Sequence, residues 1–124
     1  MTSSFHDRCL ILGVGVYKAL APVRRTRVSR DILDQLLRSG ASVGANANEA
    51  RGAESRADFA HKMSIALKEA RETGYWLAFV EMAGIASDPS LAVLRKECDE
   101  LIAILVKSIT TAKRNAASAD PART

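Results

Sequence analysis

The last third of the chain carries a pattern that few folds can accommodate. Leu91, Leu94, Cys98, Leu101, Leu105, Ser108 and Ala112 follow one another at alternating steps of three and four. At 3.6 residues per turn these positions form one apolar stripe, the seam along which helices pack side by side. A lone helix of this kind gains most of its stability from packing, so the seam demands partner helices.

Three further segments supply them. Phe5, Cys9, Leu12, Val16 and Leu20 form the stripe of a first helix, which Pro22 ends because the residue before a proline avoids the helical region. A second helix is expected to start near Arg25 or Val28 and to fade near Gly52. Its stripe is Val28, Ile32, Leu36, Val43, Ala47 and Ala50, widened by Leu33 and Leu37. A third opens on Ser55 as N-cap, with Asp58 three residues on as an imperfect capping box. Its stripe is Phe59, Met63, Ala66, Ala70, Thr73 and Leu77, and Trp76, Phe79 and Val80 make its far end heavily apolar. The turn "AGIASDPS" follows.

No strand period or fixed repeat appears, and aromatic residues make up only 5% of the 124 residues. The expected fold is all-α: an antiparallel up-down-up-down four-helix bundle in one domain, residues 1–117. The helices are expected at about 4–21, 25–52, 55–83 and 90–115, with a disordered tail over 118–124.

Two features narrow the setting. Cys9 and Cys98 are too few for a disulfide framework and lack metal-ligand spacing, which points to a reduced, cytoplasmic environment. The run "CLILGVGVY" before "ALA" imitates a signal peptide. Asp7, Lys18 and Pro22 argue against that reading, and the run falls short of the about 20 apolar residues that span a bilayer. No membrane association is expected.

The segment "LLRSGASVGANANEA" (36–50) reads either as a phosphate-cradling loop or as a helix face stripped of bulk. No lysine follows Gly44, as a Walker-type loop requires, and Leu33 to Arg38 continue a helical stripe rather than a strand. Gly40 and Gly44 each cost a helix about 1 kcal/mol relative to alanine. Their four-residue spacing puts both on one face, where close approach of another helix would offset that cost.

Charged groups at the edges of the apolar stripes need partners. Arg38, Asn46, Glu49, Glu69 and Glu72 are expected to form a polar network between helices. Di-iron bundles use Glu-x-x-His pairs. Here His61 follows Asp58 by three, but His6 has no such partner, and Glu69-x-x-Glu72 and Glu97-x-x-Glu100 read as surface spacing. No metal site, cofactor or catalytic residue is assigned; Cys9 lies within an apolar stripe, where a thiol is inert.

The net charge is +4. "RRTRVSR" gathers Arg24, Arg25, Arg27 and Arg30 within seven residues, and Lys107, Lys113 and Arg114 lie near the end of the fourth helix. In an up-down bundle these are opposite ends, so two basic patches are expected. Arginines near a helix start oppose its macrodipole, and contact with RNA or DNA phosphates would account for them.

Arg38-Ser39-Gly40, Asn46, Glu49-Ala50, Asp58-Phe59 and Lys68-Glu69-Ala70-Arg71-Glu72-Thr73 together resemble the bacterial four-helix-bundle proteins named for intervening sequences in large-subunit (23S) ribosomal RNA genes. That family is related to the accessory protein of diversity-generating retroelements. The resemblance covers nearly the whole chain. Ala41 departs from it where threonine is common, and Gly74 where the family has a bulkier residue. It implies a ring-like homo-oligomer, typically a pentamer, with no enzymatic activity and with nucleic-acid binding attributed to the retroelement relatives. The expected contact surface is apolar material the bundle leaves over, such as Tyr75, Trp76 and Phe79. The expected function is a non-catalytic homo-oligomeric scaffold binding RNA or DNA. The alternatives are a protein–protein adaptor without nucleic acid and a ferritin-like metal bundle.

Overall fold

The computed structural model describes residues 4–118. Four helices follow in order: α1, Phe5–Leu20; α2, Arg30–Ala50; α3, Arg56–Met82; and α4, Ser90–Ser118. α1 packs on α2 and α4, and α3 packs on the same two, so α1 and α3 lie across one diagonal of a square and α2 and α4 across the other. This is the antiparallel four-helix bundle the stripes demand. Of the expected tail over 118–124, Ser118 closes α4 and the rest lies outside the described residues.

Side chains set the helix ends. Ser4 Oγ accepts the Asp7 N–H at 3.0 Å, and Ser55 Oγ accepts that of Asp58 at 3.0 Å. Asp58 returns its bond to the Glu54 N–H, one residue before the cap, at 3.1 Å. α3 ends in a Schellman turn: Ile85 N–H donates to Val80 O and Gly84 N–H to Glu81 O. Gly84 takes φ +71° there, a left-handed conformation that favours glycine.

The start of α2 departs from the expected 25–52. Thr26 and Ser29 bond reciprocally, each backbone N–H donating to the other's side-chain oxygen at 3.0 Å. This holds 27–29 as a turn and delays α2 to Arg30. Val28 is therefore no stripe residue; it stands on the turn, 84% exposed. With the start displaced, the buried face of α2 runs through Leu33 and Leu36, and Ile32 is only half-buried. On α4 the seam leaves Ser108 half-buried and passes through Ile109. A 3.6-residue turn drifts by about 20° per heptad against a strict three–four repeat, which accounts for the slip.

Along the middle of the core, alanines alternate with leucines: Ala47, Ala66 and Ala70 are sealed, as are Leu36, Leu77 and Leu101. Two buried hydroxyls find acceptors on their own helices. Ser39 donates to Leu36 O at 3.1 Å and Thr73 to Glu69 O at 2.7 Å.

Candidate functional site

Three regions hold the residues singled out in the sequence. The first is the end of the bundle where α1 turns into α2. Arg24 and Arg25 lie in the connection, Arg27 on the turn, and Arg30 opens α2; all four are exposed. The helix delay matters here, because three of the four precede α2 rather than sitting in its first turn against the dipole. Arg25 is paired with Asp34. Arg24, Arg27 and Arg30 form no ion pair among the described residues. Lys107, Lys113 and Arg114 are exposed on the C-terminal half of α4, at the other end. The two groups do not meet.

The second region is the α2–α3 seam. Arg38 reaches across it to two carboxylates, Glu69 at 3.2 Å and Glu72 at 2.5 Å, and also donates to Gln35 on its own helix at 3.3 Å. Glu72 accepts from the indole N–H of Trp76 at 3.3 Å as well. Burial pushes the Glu72 carboxyl up, but the bonds from Arg38 and Trp76 and the Arg38 charge outweigh it and hold the group below its ordinary value. The other two expected members stay outside. Asn46 spends its amide on Ser42 O of its own helix at 2.8 Å. Glu49 lies on the exposed side of α2 with no side-chain hydrogen bond among the described residues. An eleven-residue separation returns to nearly the same side, but it carries Glu49 about three turns along α2 from Arg38, which is the residue that meets Glu69 and Glu72.

A matching clamp joins α1 to α4, where the sequence suggested only surface spacing. Arg8 binds Glu97 with two bonds, at 2.7 and 3.0 Å, and Glu100 at 3.1 Å. The bond from Arg8 is the main reason the Glu97 carboxyl is held below its ordinary value. The signal was present in Glu97-x-x-Glu100, a pair one helical turn apart that forks around a single guanidinium.

The third region is the α1–α2 seam. A Cβ on Gly13 would stand 3.2 Å from Gly40 O, and one on Gly40 would stand 3.2 Å from the Val16 side chain. Gly44 faces the Cys9 backbone with more room, at 3.4 Å. The glycine segment is helical throughout, so its residues close the bundle instead of cradling a phosphate. On its outer side the seam opens into a groove of about 600 Å³ with small residues such as Ala41 and Ala45 in its floor and Leu10, Val14 and Tyr17 along one wall. The sequence reading passed over this wall, although α1 shows apolar residues on every side. At the groove's end, burial with the Arg51 charge holds the His6 imidazole below its ordinary value.

The cysteines are free and buried, and burial pushes both thiols up to about 11. Thiols so placed are poor nucleophiles. Among the described residues no group of three or more His, Cys, Asp or Glu is placed to hold a metal ion, and no helix is long and apolar enough to cross a membrane.

Comparison with known proteins adds a family. Residues 8–107 match the family model described as 23S rRNA-intervening sequence protein. Among solved structures, the chain is similar to a protein of unknown function from the S23 ribosomal protein family of Bacteroides thetaiotaomicron VPI-5482. The two are 35% identical, with a TM-score of 0.75 over 86% of this chain and 98% of that one. No curated protein matches.

Proposed function

Since the chain belongs to the 23S rRNA-intervening sequence protein family, we propose that it works as a non-catalytic, homo-oligomeric four-helix scaffold that binds RNA or DNA. The observation that carries this reading is the arginine turn. Arg24, Arg27 and Arg30 project from one end of the bundle without ion-pair partners among the described residues. Such a cluster repels itself; nucleic-acid phosphates neutralise it, and the counterions condensed on the nucleic acid are released as they do so. Guanidinium groups also fit phosphate oxygens in a two-pronged geometry that lysine cannot reproduce. Repetition around an oligomer, a pentamer on the resemblance drawn from sequence, would multiply a weak contact into a useful one. Free, buried cysteines support a cytoplasmic setting.

Fluorescence anisotropy with labelled RNA and DNA tests this. We expect binding at about 50 mM salt that weakens steeply by about 200 mM. The triple variant Arg24→Ala, Arg27→Ala, Arg30→Ala should bind more weakly on every sequence and show a smaller salt slope, by about 1 for each phosphate no longer neutralised. Absence of binding at about 50 mM salt, or unchanged binding by the triple variant, sinks the reading.

A further inference from the structure

α1 is the short helix of the bundle, with 16 residues against 29 in α4. Glu97, Glu100, Ile104, Lys107, Thr111 and Asn115 step by three and four along one face of α4. The first part of that face meets α1, where Arg8 binds Glu97 and Glu100. From Arg8, α1 reaches its first residue, Phe5, within one turn, while α4 runs on from Glu100 to Ser118, about 27 Å further at 1.5 Å per residue. The last part of the face therefore stands past the start of α1. A groove of about 450 Å³ opens there between the first turns of α3 and the last turns of α4. Among the described residues only these two helices line it.

Its walls mix apolar, cationic and polar groups. Phe59 and Ile104 are half-buried, packed against the core and still lining the groove. Arg56 and Lys107 are exposed and form no ion pair among the described residues. Ser108 and Asn115 add a hydroxyl and an amide, each able to donate and to accept. From Leu101 to Ser118 α4 has no acidic residue, and Lys113 and Arg114 extend its positive charge. In the first two turns of α3 the one acid is Asp58, which is paired with Lys62 at 3.0 Å.

We infer that this α3–α4 groove is a second nucleic-acid site, and that it takes an unpaired base of a single strand. The inference rests on the nucleic-acid reading above and specifies the form of the substrate. An aromatic side chain in a positively charged groove is the combination that holds single strands, because every base has a face to stack. Phe59 supplies the ring, and Arg56 and Lys107 supply cations for the phosphates on either side of the stacked base. Ser108 and Asn115 meet the edge of the base. In a duplex the bases stack on one another, and one enters such a groove only by being flipped out at the cost of its pairing. The opposite end of the bundle has a different makeup. No aromatic residue lies between Leu20 and Arg30, so the arginine turn grips phosphates of either form.

Fluorescence anisotropy on the full chain tests the inference, with labelled single strands of RNA and DNA and the same strands annealed to their complements. Phe59→Ala is expected to bind single strands about 5- to 150-fold more weakly. Duplex binding and the salt slope should stay as in wild type, since a ring neutralises no phosphate. Phe59→Leu keeps apolar bulk against the core, and far-UV circular dichroism confirms that it stays helical. A loss that both variants share therefore belongs to the ring and not to the fold. Arg56→Ala combined with Lys107→Ala should lower the single-strand salt slope by about 0.7 for each phosphate no longer neutralised. Single-strand binding unchanged in Phe59→Leu, or a loss equal for single strands and duplexes, overturns the inference and leaves the arginine turn untouched. If the Arg24, Arg27, Arg30 triple variant binds like wild type while Phe59→Leu loses single strands, the arginine-turn reading falls and this one stands. A wild type that binds neither form at about 50 mM salt removes both.

Discussion

α2 makes two seams, and they are held in opposite ways. Toward α1 it offers Gly40, so close that an added Cβ would press on Val16, while its carbonyl oxygen lies 3.2 Å from where a Gly13 Cβ would stand. Toward α3 it offers Arg38, whose long side chain spans the gap to Glu69 and Glu72. Where Gly13 meets Gly40 the seam is backbone against backbone, with nothing to rotate aside, and the Val16 side chain beside it is sealed in the core. A seam made of long charged side chains has slack but answers to pH and salt. Changes in volume should therefore strike the first seam and changes in charge the second.

The largest effect belongs to the backbone seam. Gly40→Leu places four carbons against Val16 in a sealed position, and we expect a loss of about 1–3 kcal/mol or more in urea unfolding, measured at fixed protein concentration. If the variant is as stable as wild type, the seam has slack after all and the contrast collapses. In the charged seam, Arg38→Ala should cost about 1 kcal/mol, because the guanidinium is half exposed and water screens the pair. Raised salt should shrink that difference and leave the Gly40→Leu loss unaltered.

Acid separates the seams further. The folded state holds the carboxyls of Glu72 and Glu97 below the ordinary glutamate value of 4.5. Groups lowered on folding bind fewer protons in the native state, so their contribution is complete above the unfolded value and drains away as pH falls through the folded one. Stability should therefore decline as pH drops below about 4.5. The double variant Arg8→Ala, Arg38→Ala should show a shallower decline, having already lost what protonation removes. Equal slopes in acid would mean that other carboxylates control the acid limb.

How much of this was legible beforehand follows the same division. The stripes reported the core well, because 3.6-residue periodicity and burial are the same physical fact: Leu12, Leu36, Leu77 and Leu101 are all sealed. The start of α2 was not legible, since a reciprocal Thr26–Ser29 turn competes locally with a helix that the stripe alone would begin earlier. Arg38 was matched with Glu69 and Glu72 by their position beside the stripe, whereas Asn46 found its acceptor one turn back on its own helix, which spacing between helices does not reveal. The outer wall of α1 was missed because the stripe through Cys9, Leu12 and Val16 accounts for one face of the helix, and Leu10 and Val14 fall off it. Only the packing shows that α1 has neighbours on two sides and none on the third.

The smallest prediction is the sharpest test of the backbone seam, because it separates glycines that the sequence treats alike. Gly40 and Gly44 share a face, and four-residue spacing gives no reason to rank them. The structure ranks them. A Cβ on Gly40 would press on the Val16 side chain at 3.2 Å. A methyl on Gly44 would sit 3.4–3.5 Å from Cys9, ordinary contact, whereas a methyl on Gly13, across the seam from Gly40, would meet its carbonyl oxygen at 3.2 Å. In the first case alanine restricts the unfolded chain and raises helix propensity without strain, so Gly44→Ala should stabilise by about 0.4–1 kcal/mol. In the second the same methyl must push two helix backbones apart, so Gly13→Ala should fail to show that gain and should lower the unfolding midpoint. Opposite signs from one chemical change, on facing helices of one seam, would locate where the backbones touch. Equal gains at both positions would show that they do not.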